Sequence, residues 1–369
     1  MMGPASDECN VARDRMRTWV IALVSASSTE KTMTKMKHAF VALLAVSAFL
    51  LPGAVSTPQA NAASPIIIRF ASLAPSGSGF MKVMKAWNRS LKKETENRVE
   101  LRFYSGGSQG DERDFIRKVR AGQMDAAGVT TTGLGMVARP VLVLTAPGLI
   151  TEYDQLERAR TMLNDRFAKL FKDAGFQMLA WGEAGKNRLF SMEKFARPDD
   201  LKTLRPWAWK DDPVFAGYIT TIGANPVRMG VPEVYGGLQT RMVDTVPASA
   251  LSAVALQWYT RLNYMAKENF GILVGGSLVK QEKFDSLTEH DQKVLMDTSV
   301  RAAKANDSLA RRDDDRAYAS LIKRGMIEVD TLPYKAEWDA VATKTRESLI
   351  GRVYSKSLLE AVEKAVANE

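Results

Sequence analysis

The spacing of apolar and polar positions changes between two periods along the chain from residue 66 onward. Residues 66–70 form an apolar run of the length of a buried strand, and residues 80–95 carry apolar side chains spaced as on one helix face. A segment rich in Gly, Ser and Pro, residues 72–79, separates them. This strand-then-helix order recurs along the chain, and it predicts βα units.

The strand and helix patterns recur in two successive parts of the chain. The predicted strands are residues 66–70, 99–104, 126–130, 140–144, 176–183, 204–209, 225–229, 242–246 and 270–279. The predicted helices are residues 80–95, 111–121, 153–174, 213–222, 232–240, 248–265 and 289–321. Strands that alternate with helices indicate an α/β fold with a mostly parallel sheet.

The first 62 residues have a different pattern. Residues 31–37, three of them lysine, precede an apolar run at 39–51 that is shorter than the roughly 20 residues needed to span a bilayer. Ala60-Asn61-Ala62 then has the small-x-small form of a leader-peptidase site. We predict a signal peptide cut after Ala62 and an exported, periplasmic protein, with a retained anchor as the alternative. Residues 1–32 show neither helical nor strand periodicity, which suggests that the start codon has been placed too far upstream.

Composition excludes several classes of site. The 369 residues include one cysteine, Cys9, and two histidines, His38 and His290, which are too few for a zinc framework or an intramolecular disulfide. The formal net charge is +9, but the charges are interspersed and no aromatic residues alternate with a basic stripe. We therefore expect no nucleic-acid partner.

Two further patterns concern cofactors and metals. The glycines at 133 and 135 resemble part of a dinucleotide fingerprint, but Pro140 would end the required helix early. No set of acidic residues has the spacing of a metal-binding loop. We expect neither a cofactor nor a metal.

A third pattern points to an enzyme. Residues 106–110 have the G-x-S-x-G form of a nucleophile elbow between a predicted strand and a predicted helix. Ser108 would be the nucleophile, and His290 is the histidine left to serve as base once the leader is removed. A periplasmic serine hydrolase is therefore the alternative function, whereas a glycine-rich turn before a helix explains the same residues without catalysis.

Aromatic residues cluster at predicted strand ends and on the helix predicted at 248–265. They are Trp181, Trp207, Trp209, Trp258 and Tyr259. Trp207 and Trp209 would point to the same face of one strand, because side chains alternate along a strand. The cluster is either core packing or the apolar wall of a ligand cleft.

Several segments of the chain together form a specific pattern. They are IRFAS at 68–72, YSGGSQGDE at 104–112, GQMD at 122–125, PDDLK at 198–202, GANP at 223–226 and EVYGGLQT at 233–240, with MVD at 242–244. In this order they resemble the substrate-binding proteins of tripartite ATP-independent periplasmic (TRAP) transporters of the DctP type. The resemblance covers the whole chain after the leader.

The resemblance implies a two-lobed periplasmic-binding-protein fold of type II-like topology, with hinge strands and a long connecting helix. It places residues 63–186 with about 270–309 in lobe I, and 187–269 with about 310–369 in lobe II. It implies capture of a small solute by lobe closure and delivery to the small and large permease subunits (DctQ and DctM type), without catalysis. An alternative within the same fold is an interaction partner of an accessory periplasmic protein.

The chain departs from the family pattern at the ligand anchor. The family strand after the DLK segment usually carries an arginine that binds a ligand carboxylate, and the matching position here is Trp207. The resemblance also places Thr245, Pro247 and Ala248 where the family has Gly, Glu and Asn. These losses suggest a changed ligand.

Two arginines could restore a carboxylate anchor. Arg188 lies near the family's other cleft arginine, and Arg205 would face the cleft if the strand register slipped by two residues. With them, the predicted ligand-binding residues are Leu73, Thr130, Thr131, Trp181, Arg188, Arg205, Trp207, Trp209, Val231 and Ala248. We expect a hydrophobic or aromatic solute, with an organic acid left open.

Overall fold

The computed structural model describes residues 64–367, so the predicted leader lies outside the described residues. The strands are β1 Ile66–Ser72, β2 Val99–Tyr104, β3 Ala126–Thr130, β4 Phe176–Ser191, β5 Trp207–Trp209, β6 Val227–Met229, β7 Thr245–Ala248, β8 Tyr264–Ala266, β9 Gly271–Lys280 and β10 Ile327–Val329. The helices are α1 Gly79–Glu94, α2 Glu112–Arg120, α3 Thr131–Val137, α4 Tyr153–Asp173, α5 Pro213–Ile222, α6 Val231–Gln239, α7 Ala250–Ala255, α8 Gln281–Asp285, α9 Glu289–Lys323, α10 Lys335–Leu349 and α11 Lys356–Ala367.

The main sheet is mixed. β1 pairs in parallel with β2 and β3, as βα units require, whereas β9 pairs antiparallel with both β3 and β4. The prediction of a mostly parallel sheet is therefore corrected: β9 returns from the far part of the chain and inserts in the opposite direction. We call the elements around β1, β2, β3 and β9 the first lobe, and those around β5 to β8 and β10 the second lobe.

The long strand β4 belongs to both lobes. Its residues 176–187 pair with β9, and residues 188–191 pair with β7. The register of its pairing with β9 shifts between Glu183 and Lys186, and Gly185 in that interval has a φ of +102°. An L-residue with a side chain rarely adopts such a φ, so glycine suits this bend.

Helix α9 is 35 residues long and packs against both lobes. Near its start Thr298 accepts a hydrogen bond from the Trp87 indole of α1 at 2.9 Å. Further along, Asp314 accepts from the backbone N–H of Leu251 in α7 at 2.9 Å. This is the predicted helix at 289–321, and it is the connecting helix that the family resemblance implies.

Two segments differ from their predicted structure. The predicted helix at 248–265 is divided into α7, a 3-10 turn at Trp258–Arg261 and the strand β8. Gln257, with a φ of +60°, ends the helical path there, which the helical apolar spacing did not signal. The predicted strand at 140–144 is instead a 3-10 helix, Arg139–Thr145, with proline in its first turn.

The C-terminal helix α11 packs in the first lobe. Leu358 and Val362 of α11 are fully buried in the same hydrophobic cluster as Leu163 and Phe167 of α4. Residues 356–367 therefore lie with the first lobe, although the predicted division assigned them to the second. None of the described helices is long and apolar enough to cross a membrane.

Candidate functional site

A cavity of about 320 Å³ lies between the two lobes. The first lobe contributes the loop after β1 and the start of α3, and the second lobe contributes β5, the start of α6 and α7. β4 and α9, which pass between the lobes, add to the lining, as do β9, α1 and α5. Both lobes must therefore be close together to enclose the cavity.

Eight of the ten residues predicted for the ligand site line this cavity. They are Leu73, Thr130, Thr131, Trp181, Trp207, Trp209, Val231 and Ala248. Leu73 also packs at the edge of the hydrophobic clusters of both lobes. The structure thus brings together residues that are separated by up to 175 positions in the sequence.

Three tryptophans form the wall of the cavity on the second lobe. The ring centroids of Trp207 and Trp209 are 6.1 Å apart, and Trp258 meets Trp207 edge to face at 5.3 Å. The Trp207 indole donates to the carbonyl oxygen of Met229 at 3.0 Å. Since this partner belongs to the neighbouring strand β6, the polar atom of Trp207 is satisfied within its own lobe. Trp207 and Trp258 are each only 3% exposed, so the accessible ring of this wall is that of the half-buried Trp209.

The wall on the first lobe includes Trp181 of β4. Its ring packs edge to face against Phe167 at 5.8 Å, and the Arg160 guanidinium lies 5.9 Å from its centroid. Trp181 therefore belongs partly to the core of this lobe and partly to the lining of the cavity.

Hydrogen bonds to Asp111 join the lobes at the edge of the cavity. The Trp209 indole of the second lobe donates to Asp111 Oδ2 at 2.7 Å, and Asp111 caps the start of α2 in the first lobe. Burial raises the pKa of Asp111, while the bonds from the Trp209 indole and from backbone N–H groups, including that of Val231, oppose this rise. The contact requires the closed arrangement, and sequence reasoning did not identify Asp111.

A buried carboxyl group supports the Thr130 corner of the cavity. Glu112 accepts hydrogen bonds from the Thr130 N–H at 2.7 Å, the Thr130 hydroxyl at 3.0 Å and the Gly133 N–H at 2.8 Å. Burial nevertheless raises the pKa of Glu112 to about 8. The corner is therefore rigid, and Glu112 carries a proton over much of the neutral range.

Neither predicted arginine anchor lines the cavity. The backbone N–H and the guanidinium of Arg205 both bind Asp244, at 2.7 and 3.2 Å, and β5 begins only at Trp207. Trp207 pairs with Val227 in parallel, so the alternative register that would turn Arg205 toward the cleft is not adopted. This corrects the expectation that Arg205 could hold a carboxylate.

Arg188 points away from the cavity as well. Its guanidinium lies 4.8 Å from the Tyr318 ring centroid and 3.7 Å from the Asp314 carboxylate. The neighbouring residue, Asn187, lines the cavity instead, because successive side chains of a strand face opposite sides. Asn187 was not identified from the sequence. Side chains alternate between the two faces of β4, but the sequence alone does not show which face lines the cavity.

A buried ionic network stands behind the cavity at the β4 bend. Arg311 of α9 contacts both carboxylate oxygens of Glu183 at 2.8 and 2.9 Å, and Arg160 contacts the same carboxylate at 3.1 Å. Asp307 accepts from the Glu183 backbone N–H at 3.0 Å. Burial, with the nearby Glu183 charge, raises the pKa of Asp307 to about 6. These arginines are thus already paired.

The residues of the alternative hydrolase do not assemble. Ser108 lies in the loop after β2 and His290 in the first turn of α9; both are exposed and neither lines the cavity. Within residues 64–367, no group of three or more His, Cys, Asp or Glu side chains is arranged to hold a metal ion.

Comparison with known proteins gives a consistent picture. Residues 70–349 match the sequence model described as bacterial extracellular solute-binding protein, family 7 (DctP). A protein of Chromohalobacter salexigens named solute-binding protein is 25% identical over 230 residues, which are 62% of this chain and 68% of the relative.

Two solved structures have the same fold. A TRAP periplasmic solute-binding protein from Ralstonia eutropha H16, with bound (S)-2-acetolactate, has a TM-score of 0.77 and 19% identity, covering 82% of this chain and 99% of that one. Another from Desulfovibrio salexigens, with bound orotic acid, has a TM-score of 0.77 and 18% identity over the same shares. The two-lobed expectation for the fold is confirmed.

Proposed function

We propose, from the premise that this chain belongs to bacterial extracellular solute-binding protein family 7 (DctP), that it is the periplasmic solute receptor of a TRAP-type transporter. It captures a small organic solute between its lobes and passes it to the membrane permease subunits. The observation that carries this proposal is the cavity of about 320 Å³ lined by both lobes. Cavities of this size accommodate small molecules.

The mechanism that we propose is binding with lobe closure. Contacts from both lobes exist together only when the lobes are closed, so a ligand stabilises the closed state by its difference in affinity for the two states. The Trp209 to Asp111 hydrogen bond adds a protein contact that also requires closure. A permease can then distinguish the loaded receptor by its closed shape.

We further propose that the eight lining residues named above contact the solute. Trp209, backed by the buried Trp207 and Trp258, provides flat apolar surface on one side, and Thr130 and Thr131 provide hydroxyl groups on the other. Such a cleft is suited to an aromatic or otherwise hydrophobic solute. The ligands of the two related structures, (S)-2-acetolactate and orotic acid, show that organic acids bind to this fold in other members.

The test is identification of the natural ligand. Protein secreted to the periplasm and purified without added ligand is denatured, and released small molecules are identified by mass spectrometry. We expect one compound in near-stoichiometric amount, which restores thermal stabilisation when added back to refolded protein. If no compound is released, and if neither a periplasmic extract nor a metabolite panel stabilises the refolded protein, the receptor function is wrong, and recovery of a protein partner would favour the accessory-protein alternative.

A further inference from the structure

The lining of the cavity contains no basic side chain among the described residues. Its ionisable side chains are Glu112, Glu183, Asp212 and Asp313, all of them acidic. A free carboxylate in a low-dielectric cleft needs a cationic or strongly hydrogen-bonding partner, because its desolvation is otherwise very unfavourable. The cavity therefore lacks the usual means of binding an organic acid.

Three of the four acidic groups are already held inside the protein. Glu183 is paired with Arg160 and Arg311. Asp212 caps the start of α5 by accepting from two backbone N–H groups, at 2.8 and 3.1 Å. Asp313 lies 3.4 Å from the nearest nitrogen of Arg312. These groups leave little uncompensated negative charge to attract a cationic ligand.

The fourth acidic group, Glu112, is also satisfied by contacts inside the protein. It accepts three hydrogen bonds from Thr130 and Gly133, and the residue is 1% exposed. The remaining surface for a ligand is therefore aromatic rings, aliphatic groups, hydroxyls and two amides. The amide of Asn306 already donates to the Glu183 carbonyl oxygen at 3.2 Å, which leaves one other amide.

That amide belongs to Asn187. Its Oδ1 atom is buried and accepts no hydrogen bond from any residue within 64–367. A buried acceptor without a partner is costly, so such atoms are normally satisfied in the functional state. Asn187 lines the cavity, but Oδ1 itself has almost no accessible surface, so a donor group on the bound solute satisfies it when the amide turns toward the cavity.

We propose that the solute is an uncharged aromatic molecule carrying an N–H or O–H group, which stacks against the tryptophan wall of the second lobe and donates to Asn187, and that free carboxylates are rejected. This proposal rests on the receptor function proposed above and specifies the chemical class of its ligand. Trp209 and Asn187 are the residues that determine this specificity: one presents a ring and the other a neutral acceptor, where a guanidinium would select an acid.

Matched pairs of probes test the proposal. Benzamide and benzoate, and indole-3-acetamide and indole-3-acetate, have the same ring but differ in charge and in the presence of an N–H donor. Binding to refolded, ligand-free protein is measured by isothermal titration calorimetry at pH 7.5. We expect each amide to bind at least about tenfold more tightly than its acid, the equivalent of one good hydrogen bond. Tighter binding of the acids would overturn the proposal.

Variants at Asn187 separate its role from simple packing. Asn187→Leu preserves volume and removes the acceptor, so we expect amide affinity to fall about tenfold while binding of toluene, which has no donor, is unchanged. Asn187→Arg is expected to reverse the preference within each pair toward the acid. Urea unfolding of each variant shows that the fold is retained, and equal losses for amide and toluene in Asn187→Leu would contradict the assigned role.

If none of the small probes binds, the chemical class of the natural ligand tests the proposal. A released compound that lacks a carboxylate and carries an aromatic ring with an N–H or O–H group supports the proposal, and any released carboxylic acid overturns it. In that second case the receptor function still stands. Absence of any bound small molecule is a separate outcome, which opposes the receptor function itself.

Discussion

At the scale of single residues, whether a side chain lines the cavity changes within one or two positions along the chain. Asn187 faces the cavity while Arg188 faces Tyr318 and Asp314. Similarly, Trp207 lines the cavity while Arg205, two residues earlier, is bound to Asp244 before the strand begins. Arg188 is therefore kept out of the cleft by the phase of β4, whereas Arg205 is kept out by its position before β5 and its pairing with Asp244.

Trp209→Phe tests the contact between the lobes. The variant keeps an aromatic ring but loses the indole N–H that donates to Asp111. A hydrogen bond to a charged group contributes about 1.5–3 kcal/mol, so we expect ligand affinity to fall about tenfold or more, measured by calorimetry. Trp338→Phe is the matched control, because it also loses an indole hydrogen bond, to the Ala196 carbonyl, away from the cavity. Equal losses in both variants would rule out a specific closing role for Trp209.

Glu112→Gln tests the buried carboxyl group through pH. The folded pKa of Glu112 is about 8, above its ordinary value of 4.5, so the unfolded chain ionises first. The contribution of this group to stability is therefore full below about pH 4.5 and is lost as the pH rises toward 8.

Relative to Glu112→Gln, the unmodified protein should lose roughly 1 kcal/mol of unfolding free energy per pH unit between pH 5 and 8. The measurement is urea unfolding at each pH. We expect the variant to be less stable by about 1–2 kcal/mol at pH 5, because an amide cannot accept all three hydrogen bonds. Parallel stability curves for the two proteins would mean that Glu112 is ionised throughout.

At the scale of elements, β4 and α9 determine how the lobes are joined. β4 pairs with β9 in the first lobe and with β7 in the second, and it bends near Gly185. Asp314 of α9 accepts from the backbone N–H of Lys186 at 3.0 Å, so helix and strand are held together at this bend. The bend therefore has a defined geometry and is a suitable hinge for closure.

Gly185→Ala tests the geometry of the bend. A Cβ atom at Gly185 would lie 2.5 Å from Asp314 Cγ, and the φ of +102° adds strain. We expect unfolding free energy to fall by about 3 kcal/mol or more, measured by urea denaturation. In the control Gly325→Ala, φ is +94° but no atom lies within 4 Å, so about 1–2 kcal/mol should be lost. If Gly185→Ala loses no more unfolding free energy than Gly325→Ala, the Asp314 side chain moves away from the new Cβ atom at little cost.

At the scale of the whole molecule, the position of the cavity between the lobes determines what ligand removal should do. The described residues form four hydrophobic clusters, and Leu73 packs at the edge of two of them, one of which also includes Val214 of α5. Because the cavity lies between the lobes, removing a ligand that contacts both of them withdraws contacts that favour closure. Opening is thus the expected response to ligand removal.

Ligand removal is tested with the compound released from the purified protein. Refolded, ligand-free protein should have a larger radius of gyration by small-angle X-ray scattering, and adding the compound should restore the smaller value. At a concentration of 100 times its Kd, the compound should raise unfolding free energy by about 2.7 kcal/mol. Stabilisation without any change in the radius of gyration would indicate a cavity that binds its ligand without lobe movement.

The sequence by itself determined most of the elements and part of the site. The 35-residue α9 and the βα order of the first lobe follow from local spacing of apolar residues, which depends only on the period of each element. Trp207 and Trp209 were expected on one face of a strand, and both line the cavity. These features are local, so neighbouring positions are enough to predict them.

Only the tertiary structure decided which side of each strand faces the cleft and which distant segments meet there. A shift of one residue in register turns every side chain of a strand to the other face, and β4 takes its register from β9, about a hundred positions later in the chain. The same dependence on distant partners explains why the sequence did not reveal Asn187 in the cavity, the Asp111 contact with Trp209, or the packing of α11 against α4. The charge of the cleft was thus fixed by long-range pairing, because the arginines that could have lined it are bound to acidic residues brought near them only by folding.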